Sequence, residues 1–338
     1  MCLSLNLQMK PTPRYQVDRY TPSDRPRVAT LLGAWPFKPF TRHSKWAADK
    51  LTALCLARAA VTLEGTHADA WLVRSDDDTR GMASLTELPW DSQQLEMSAA
   101  RLDFLVARGS YDEQYQIKKA LLAAAVEHAR QRDIQHVSAR LDASDLSGLH
   151  LLESSGFITV DAILTLALDL SSASCQLGPH RISLRLATEA DSEALAELAH
   201  TAFVYDRFHA DPVINSARAC ELHAEWLRNC CAGAAADAVV LAEDEQGLLG
   251  FVTCKLQPDT RAHLGKLIGT IVLVATADRA RGRGVARAAT LASLEWFRNQ
   301  QTDIVEVGTQ LRNIPASCLY QSCGFRLTGS SVSLRKIF

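Results

Sequence analysis

The chain has 338 residues, of which 47% are hydrophobic and 22% charged, and its formal net charge is −2. That length accommodates two domains, each able to bury a core, and the near-neutral charge excludes the basic excess of a nucleic-acid binder and the acidic tail of a solvating segment. The apolar runs are too short to cross a bilayer, Met1 to Met9 carry no signal-peptide pattern, and nine cysteines without CxxC pairs suit reduced thiols in a cytoplasm rather than disulfides or a zinc site.

The opening, through Tyr15 and Pro26, is rich in prolines and polar residues and reads as a loose arm or an edge strand. After Val28 to Leu32 and the aromatic, basic stretch Trp35 to Phe40, an alanine-rich amphipathic helix is predicted over Lys45 to Thr62. Ala68 to Val73 and Gly81 to Glu87 read as strands joined by the polar turn Ser75 to Asp78. Leu102 to Ala107 reads as a buried strand, Gln116 to Arg130 as a helix and Val137 to Leu141 as a strand. Gly148 to Ser155 is a short helix stopped by Gly156.

Small, polar, turn-forming residues from Asp169 to His180 then mark a linker. The predicted division is a first domain over 1–172, a linker over 173–181 and a second domain over 182–338. The second part opens with a strand at Ser183 to Leu186 and a helix from Thr188 to Phe203, started by the capping-box-like pair Thr188 and Asp191. A helix at Ala217 to Cys230 and strands at Ala238 to Glu243 and Gly250 to Leu256 follow. The β-branched run from Val272 leads through Arg281-Gly282-Arg283-Gly284 into the apolar periodicity of Val285, Ala288, Ala289, Ala292 and Trp296. Ile304 to Thr309 is a strand, and Pro315 to Cys323 a short helix ended by Gly324.

The strand, glycine loop and helix around Gly282 and Gly284 leave backbone N–H groups unpaired at a helix N-terminus. There the dipole favours an anion, so a phosphate is the natural ligand. Two glycines also serve as a mere turn, and the loop alone does not separate the two readings. An internal repeat adds weight: Arg140 to Phe157 parallels Gln310 to Phe325, with the two Gly-Phe pairs 168 residues apart, half the chain. In place of the glycine loop the first copy has Arg108-Gly109-Ser110-Tyr111-Asp112-Glu113, whose carboxylates would repel a pyrophosphate. The first copy is therefore expected to be degenerate.

Arg281-Gly282-Arg283-Gly284-Val285-Ala286 resembles the [RQ]xxGx[GA] loop of the Gcn5-related N-acetyltransferase (GNAT) superfamily. The resemblance continues in the strand carrying Val274 and Thr276, in Asn313 with Tyr320 seven residues on, and in Gly324-Phe325. Within the family, a degenerate copy followed by a working one is similar to the dTDP-fucosamine acetyltransferase group, with Leu88 to Ser92 and the Phe203 to Pro212 stretch as further likenesses. Gln93 to Glu96 departs from that group, and mycothiol-synthase-like tandem enzymes are a second likeness. The resemblance implies an α/β fold with a mixed sheet, built as two tandem GNAT-like domains. It also implies acetyl-CoA as co-substrate, bound by Arg281, Gly282, Arg283, Gly284, Val285 and Ala286, with the main chain near Val274 and Thr276 meeting the thioester and pantetheine.

Amide formation from a thioester requires an oriented neutral amine, donors for the oxyanion and an acid for the thiolate. Tyr320 is the candidate acid; packed inside its helix, it would be structural instead. Asn313 either hydrogen-bonds the pantetheine arm or caps the helix ahead of Pro315. Arg279 and Arg287 read as surface solvation. By the resemblance, Arg207, His209 and Asp211 contact the acceptor, with His209 or Asp211 as proton acceptor, although a charged loop can also be merely solvated. Trp35, Phe37, Phe40, Trp90 and Asp91 either close the other side of the pocket or belong to the core. No metal is expected.

The expectation is a cytoplasmic, acetyl-CoA-dependent N-acetyltransferase, monomeric or homodimeric, acting on a small primary amine without nucleic acid or membrane. A nucleotide-linked amino sugar is the first acceptor; an amino acid, a polyamine or a mycothiol-precursor-like amine are others. A non-catalytic acyl-CoA-binding protein that recognises a partner is the competing class.

Overall fold

The computed structural model describes residues 15–42, 46–75, 78–171 and 182–338. The expected linker at 173–181, the opening residues Met1 to Met9, the predicted helix start at Lys45, the middle of the Ser75 to Asp78 turn, Cys2 and Cys175 lie outside these residues. The first half contains β1 (Val17–Arg19), α1 (Arg25–Ala34), α2 (Ala48–Leu63), β2 (Ala68–Ser75), β3 (Asp78–Glu87), α3 (Pro89–Leu95), β4 (Ala99–Ala107), α4 (Tyr111–Gln131), β5 (His136–Asp142), α5 (Leu146–Ser154) and β6 (Ile158–Asp169). The second contains β7 (Ser183–Leu186), α6 (Ser192–Ala202), α7 (Arg207–Ala210), α8 (Ser216–Cys231), β8 (Ala238–Asp244), β9 (Gly247–Gln257), α9 (Pro258–Leu264), β10 (Ile268–Thr276), α10 (Val285–Asn299), β11 (Ile304–Gln310), α11 (Ile314–Ser322) and β12 (Arg326–Ile337).

Most of these elements match the sequence pattern, because alternation or a helical stripe marks a buried face. In α10 the stripe is Val285, Ala288, Ala289, Leu291, Leu294 and Phe297, all buried. α1, α3, α7, α9 and the long strands β6 and β12 have no counterpart in the sequence reading. Val28 to Leu32 lies in helix α1, with Leu31 and Leu32 fully buried.

The strands form one mixed sheet in the order β1-β2-β3-β4-β5-β12-β6-β11-β10-β9-β8-β7. The halves are not laid side by side. β12 inserts between β5 and β6, pairing antiparallel with both, while β6 pairs antiparallel with β11. The last strand of each half thus completes the sheet of the other. Since β5, α5 and β6 span the same lengths as β11, α11 and β12 at a constant offset, the exchange is reciprocal.

Helices cover both halves of the sheet. α4 packs Ile117, Leu121, Leu122 and Ala125 into the first core with Trp71, Leu102 and Leu152, and α10 does the same in the second with Leu249, Ile271 and Phe325. Buried Lys118 on α4 donates to Asp145 at 2.5 Å and to Ser147 at 3.0 Å, so its charge is compensated. A third contact joins the halves: Leu51 and Leu54 of α2 pack with Leu264, Ile268 and Ile304. Burying those two leucines contributes roughly 1.5–3 kcal/mol each. Beside them Arg58 pairs with Asp259 and Gln257, both at 2.7 Å.

Candidate active site

The glycine loop closes the turn between β10 and α10. Gly282 and Gly284 have φ of 74° and 77°, a left-handed conformation that a side chain resists. Gly284 is the N-cap of α10 and offers no side chain to the first amides of the helix. No atom lies within 4 Å of a Cβ placed on either glycine, so the surface above the loop is open to a ligand. Arg281 pairs with Asp278 at 2.8 Å and Arg283 meets Asp244 at 3.5 Å; both are more than half exposed. Arg279 does more than solvate the surface: it donates to Asp244 at 3.1 Å and to the Gly247 carbonyl at 3.0 Å, tying the loop to the β8–β9 hairpin.

The corresponding place in the first half is filled. Ser110 caps α4, and the Glu113 carboxylate folds back onto the Ser110 N–H at 2.8 Å and its hydroxyl at 2.9 Å. A Cβ on Gly109 would meet that carboxylate at 2.7 Å. The negative group expected there occupies the donors an anion would need.

Below the glycine loop the sheet opens. Parallel pairing of β10 with β11 runs from Ile268↔Ile304 to Ile271↔Val307 and goes no further, although β10 continues to Thr276 and β11 to Gln310. A register shift between Ile271 and Val274 on the β9 side bends β10 away. Thr253 Oγ1 accepts the Leu273 N–H at 2.8 Å, satisfying an amide at the bend, a role no sequence pattern marks. β4 and β5 part in the same way after Leu102↔Ala139. A single cavity of about 1060 Å³ joins the two openings. Val274, Thr276, Arg281, Gly282, Gly284, Val285, Ala286, Asn313 and Tyr320 line its second-half wall.

Tyr320 lies in α11, 4% exposed, with its ring packed edge-on to Phe325. Burial, with a smaller contribution from Cys323, pushes its phenol well above the ordinary value, so it remains a proton donor through the neutral range. At the same point of the first copy stands Leu152, fully buried and unable to donate. Asn313 caps α11: its Oδ1 accepts the Ala316 N–H at 3.2 Å while its residue borders the cavity. Asp145 caps α5 in the same way, accepting the Gly148 N–H at 3.1 Å.

The Tyr205 to Asp211 segment divides between two environments. Arg207 lines the cavity, 3.6 Å from Asp91 and stacked 4.6 Å over the Phe208 ring; burial lowers its pKa against the pull of Asp91. His209 and Asp211 do not line it. His209 turns both nitrogens inward, Nδ1 to Asp206 at 2.6 Å and Nε2 to Cys220 at 3.5 Å. Asp211, 2% exposed, accepts from Arg335 at 2.8 Å. A short helix, α7, causes this split by rotating successive side chains to different faces. Trp35, Phe37, Phe40 and Trp90 are likewise outside the cavity: Trp35 packs with Phe37 and Phe104, Phe40 with Trp46, and Trp90 against the core cluster of Leu95, Phe208, Ile214, Ala219 and Leu222. Asp91 stands behind Arg207.

The opposite wall comes instead from β4, β5 and β6, with Arg101, Asp103, Ser138, Arg140, Asp161 and Ile163. Arg101 is paired with Asp103. Arg140 donates through Nε to Ser333 at 3.2 Å and, among the described residues, meets no carboxylate within 4.0 Å. Burial and the nearby Arg207 bring its pKa down to about 10, which leaves it charged at pH 7. Asp161 is drawn upward by burial, opposed by the Ala162 N–H that it accepts at 2.8 Å.

At the rim between the walls, Asp206 caps α7 through Oδ1, and its Oδ2 faces His209 and, 3.8 Å away, His223. Burial disfavours its charge, but the two imidazoles outweigh this and hold the carboxyl below its ordinary value. Among the described residues this trio is the group close enough to hold a metal ion, one atom from each lying within 4.8 Å of the others. The 2.6 Å between Asp206 and His209 is nevertheless a hydrogen-bond length, shorter than the about 3.3 Å between two ligands of one tetrahedral zinc. Asp206 and His209 form a hydrogen-bonded pair, with His223 beside it and hydrogen-bonded to the Ala219 carbonyl.

Known proteins share both this sequence pattern and this fold. Residues 194–325 match the model of the acetyltransferase (GNAT) family. The chain is 28% identical over 245 residues to the spore coat polysaccharide biosynthesis protein SpsD of Bacillus subtilis, covering 70% of this chain and 76% of that one. It is 27% identical over 189 residues to the dTDP-fucosamine acetyltransferase of Escherichia coli, covering 56% and 75%. A tandem GNAT protein from the clavulanic acid biosynthesis pathway superposes on 96% of this chain and 98% of its own, with a TM-score of 0.58 at 16% identity. Residues 194–325 thus carry a GNAT acetyltransferase domain, and the chain is an N-acetyltransferase with the tandem GNAT fold.

Proposed function

We propose that the enzyme transfers the acetyl group of acetyl-CoA to a small primary amine in a ternary complex, and that the acceptor is an amino sugar carrying an anionic group, such as a nucleotide-linked amino sugar. One observation carries this reading: the open glycine loop, the splayed β10–β11 gap and Tyr320 border one cavity whose other wall holds Arg140, which meets no carboxylate within 4.0 Å among the described residues. The glycine loop suits a pyrophosphate, since the space beside Gly282 and Gly284 at the start of α10 is open and Arg281 and Arg283 stand next to it. Main chain at Val274 and Thr276 meets the pantetheine and thioester, and Tyr320 gives its proton to the leaving thiolate. Asn313 caps α11 and in doing so orients the turn that carries Tyr320 to the cavity.

The first domain, up to residue 172, is the acceptor wall. Arg140 and Arg207 receive the anionic part of the acceptor, because a guanidinium forms paired bonds with phosphate oxygens. His209 and Asp211 are then support for the loop. SpsD, a polysaccharide biosynthesis protein, and dTDP-fucosamine acetyltransferase agree with a sugar acceptor. A cytoplasmic setting suits the seven free cysteines among the described residues.

The test is release of free thiol from acetyl-CoA with dTDP-4-amino-4,6-dideoxygalactose, glucosamine 1-phosphate, glucosamine and a polyamine. Turnover led by the phosphorylated sugars is expected. Tight CoA binding with acetylation of none of a broad amine panel would overturn catalysis in favour of a binding protein.

A further inference from the structure

With His209 and Asp211 turned inward, the cavity needs another recipient for the proton of the acceptor ammonium. His223 of α8 borders it, and its ring is held on every side. Nδ1 lies 2.7 Å from the Ala219 carbonyl, Phe203 stacks on one face at 4.5 Å and 18°, and Phe208, His209 and Trp226 surround the remainder. A carbonyl oxygen only accepts, so Nδ1 carries the hydrogen. The neutral ring then has its lone pair on Nε2, which is 3.8 Å from Asp206 Oδ2, and Asp206 also lines the cavity.

We infer that Nε2 of His223 takes the proton from the acceptor ammonium, with Asp206 as the anion that steadies the imidazolium formed; this rests on the acetyltransferase reading. The charged or titratable groups facing the ring are Asp206 and His209, while the Phe203 and Trp226 sides offer only rings and α8 itself the Ala219 carbonyl. Burial is the largest influence and lowers the imidazole's pKa against the pull of Asp206, so the ring is neutral and able to accept at pH 7.

The step balances. The ammonium N–H bond breaks and its proton passes to Nε2; the freed lone pair forms the C–N bond to the thioester carbonyl carbon. The C–S bond breaks, and the thiolate takes the Tyr320 proton. The imidazolium releases its proton to water, and the phenolate regains the second proton, which the former ammonium nitrogen sheds as the amide forms, so an amide, CoA thiol and one proton are the net products. His223 and Tyr320 thus serve opposite ends of the transfer, base on α8 and acid on α11.

Two measurements on the full chain test this. In ¹⁵N-histidine NMR the His223 signal, assigned by its loss in a variant, is expected as the neutral Nδ1–H tautomer at pH 7; an Nε2–H tautomer or an imidazolium at that pH overturns the inference. In kinetics, His223→Asn retains a donor toward Ala219 but lacks Nε2, and His223→Gln is the second variant. With dTDP-4-amino-4,6-dideoxygalactose, or the panel amine acetylated fastest, kcat at pH 7 should fall about 100-fold. Acetyl-CoA affinity and thermal midpoint should remain near wild type, and much of the rate should return at pH 9.5, where more of the amine is already neutral. A merely structural role would lower affinity and midpoint and give no recovery at high pH. Rates within threefold of wild type, or the same deficit at every pH, overturn the inference. Absence of turnover by the wild type instead overturns the acetyltransferase reading on which it rests.

Discussion

Arg335 of β12 donates through Nε to Asp211 at 2.8 Å, with the two side chains only 8% and 1% exposed. This buried pair pins the loop before α8 to a strand that has crossed into the other half's sheet, and His136 of β5 stands 3.7 Å from the same carboxylate oxygen. The loop before α8 and the strand exchange are thus mechanically one feature. Asp211→Ala should cost about 3–5 kcal/mol, because it leaves a guanidinium buried without its counter-charge. Urea unfolding measures it; a loss below about 1 kcal/mol would show that water reaches Arg335 freely.

Gly284→Val separates the loop's conformation from its surroundings. A Cβ there meets open space, so the penalty is the left-handed backbone at φ 77°, about 1–2 kcal/mol. Displaced amides should weaken CoA binding at least tenfold in isothermal titration calorimetry. Unchanged affinity would remove the loop from the binding site.

Tyr320→Phe should lower kcat about 100-fold or more while CoA affinity stays within threefold. The phenol's raised pKa keeps it protonated, so the wild-type rate should show no alkaline fall from Tyr320 below pH 10. Linkage gives the sign for stability. A folded pKa above the unfolded one means a contribution fully present below the unfolded value near 10 and lost as pH rises toward the folded one. The unfolding free energy should therefore fall more steeply above pH 10 in the wild type than in Tyr320→Phe, and equal slopes would show a solvated phenol.

Arg140→Gln addresses the acceptor. Losing a cavity arginine that meets no carboxylate within 4.0 Å among the described residues should raise KM at least tenfold for a phosphorylated sugar and change it little for glucosamine. Equal effects on both would mean that Arg140 shapes the wall without reading the anion.

What the residues determined by themselves is local. Alternation and helical stripes marked α10, β11 and α11, and two glycines requiring positive φ marked the loop, because these are short-range consequences of burial and backbone sterics. The repeat of Asp145 to Gly156 in Asn313 to Gly324 likewise showed that one design is used twice, and the Leu152 to Tyr320 difference is readable from that alignment.

The tertiary structure decided what faces what. β6 and β12 are long strands with mixed burial on both faces, so neither has a clean two-residue period to betray it, and their exchange depends on partners in the other half. That exchange, with the splay of β4 from β5, brings Asp161 and Arg140 to the cleft. The single turn of α7 sends Arg207 into the cavity but His209 and Asp211 away from it. His223, unremarkable within the helical stripe of α8, gains its setting from Phe203, Asp206 and the Ala219 carbonyl. The residue types at the site were legible in order along the chain, but a side chain's direction is set by the three-dimensional packing of its neighbours.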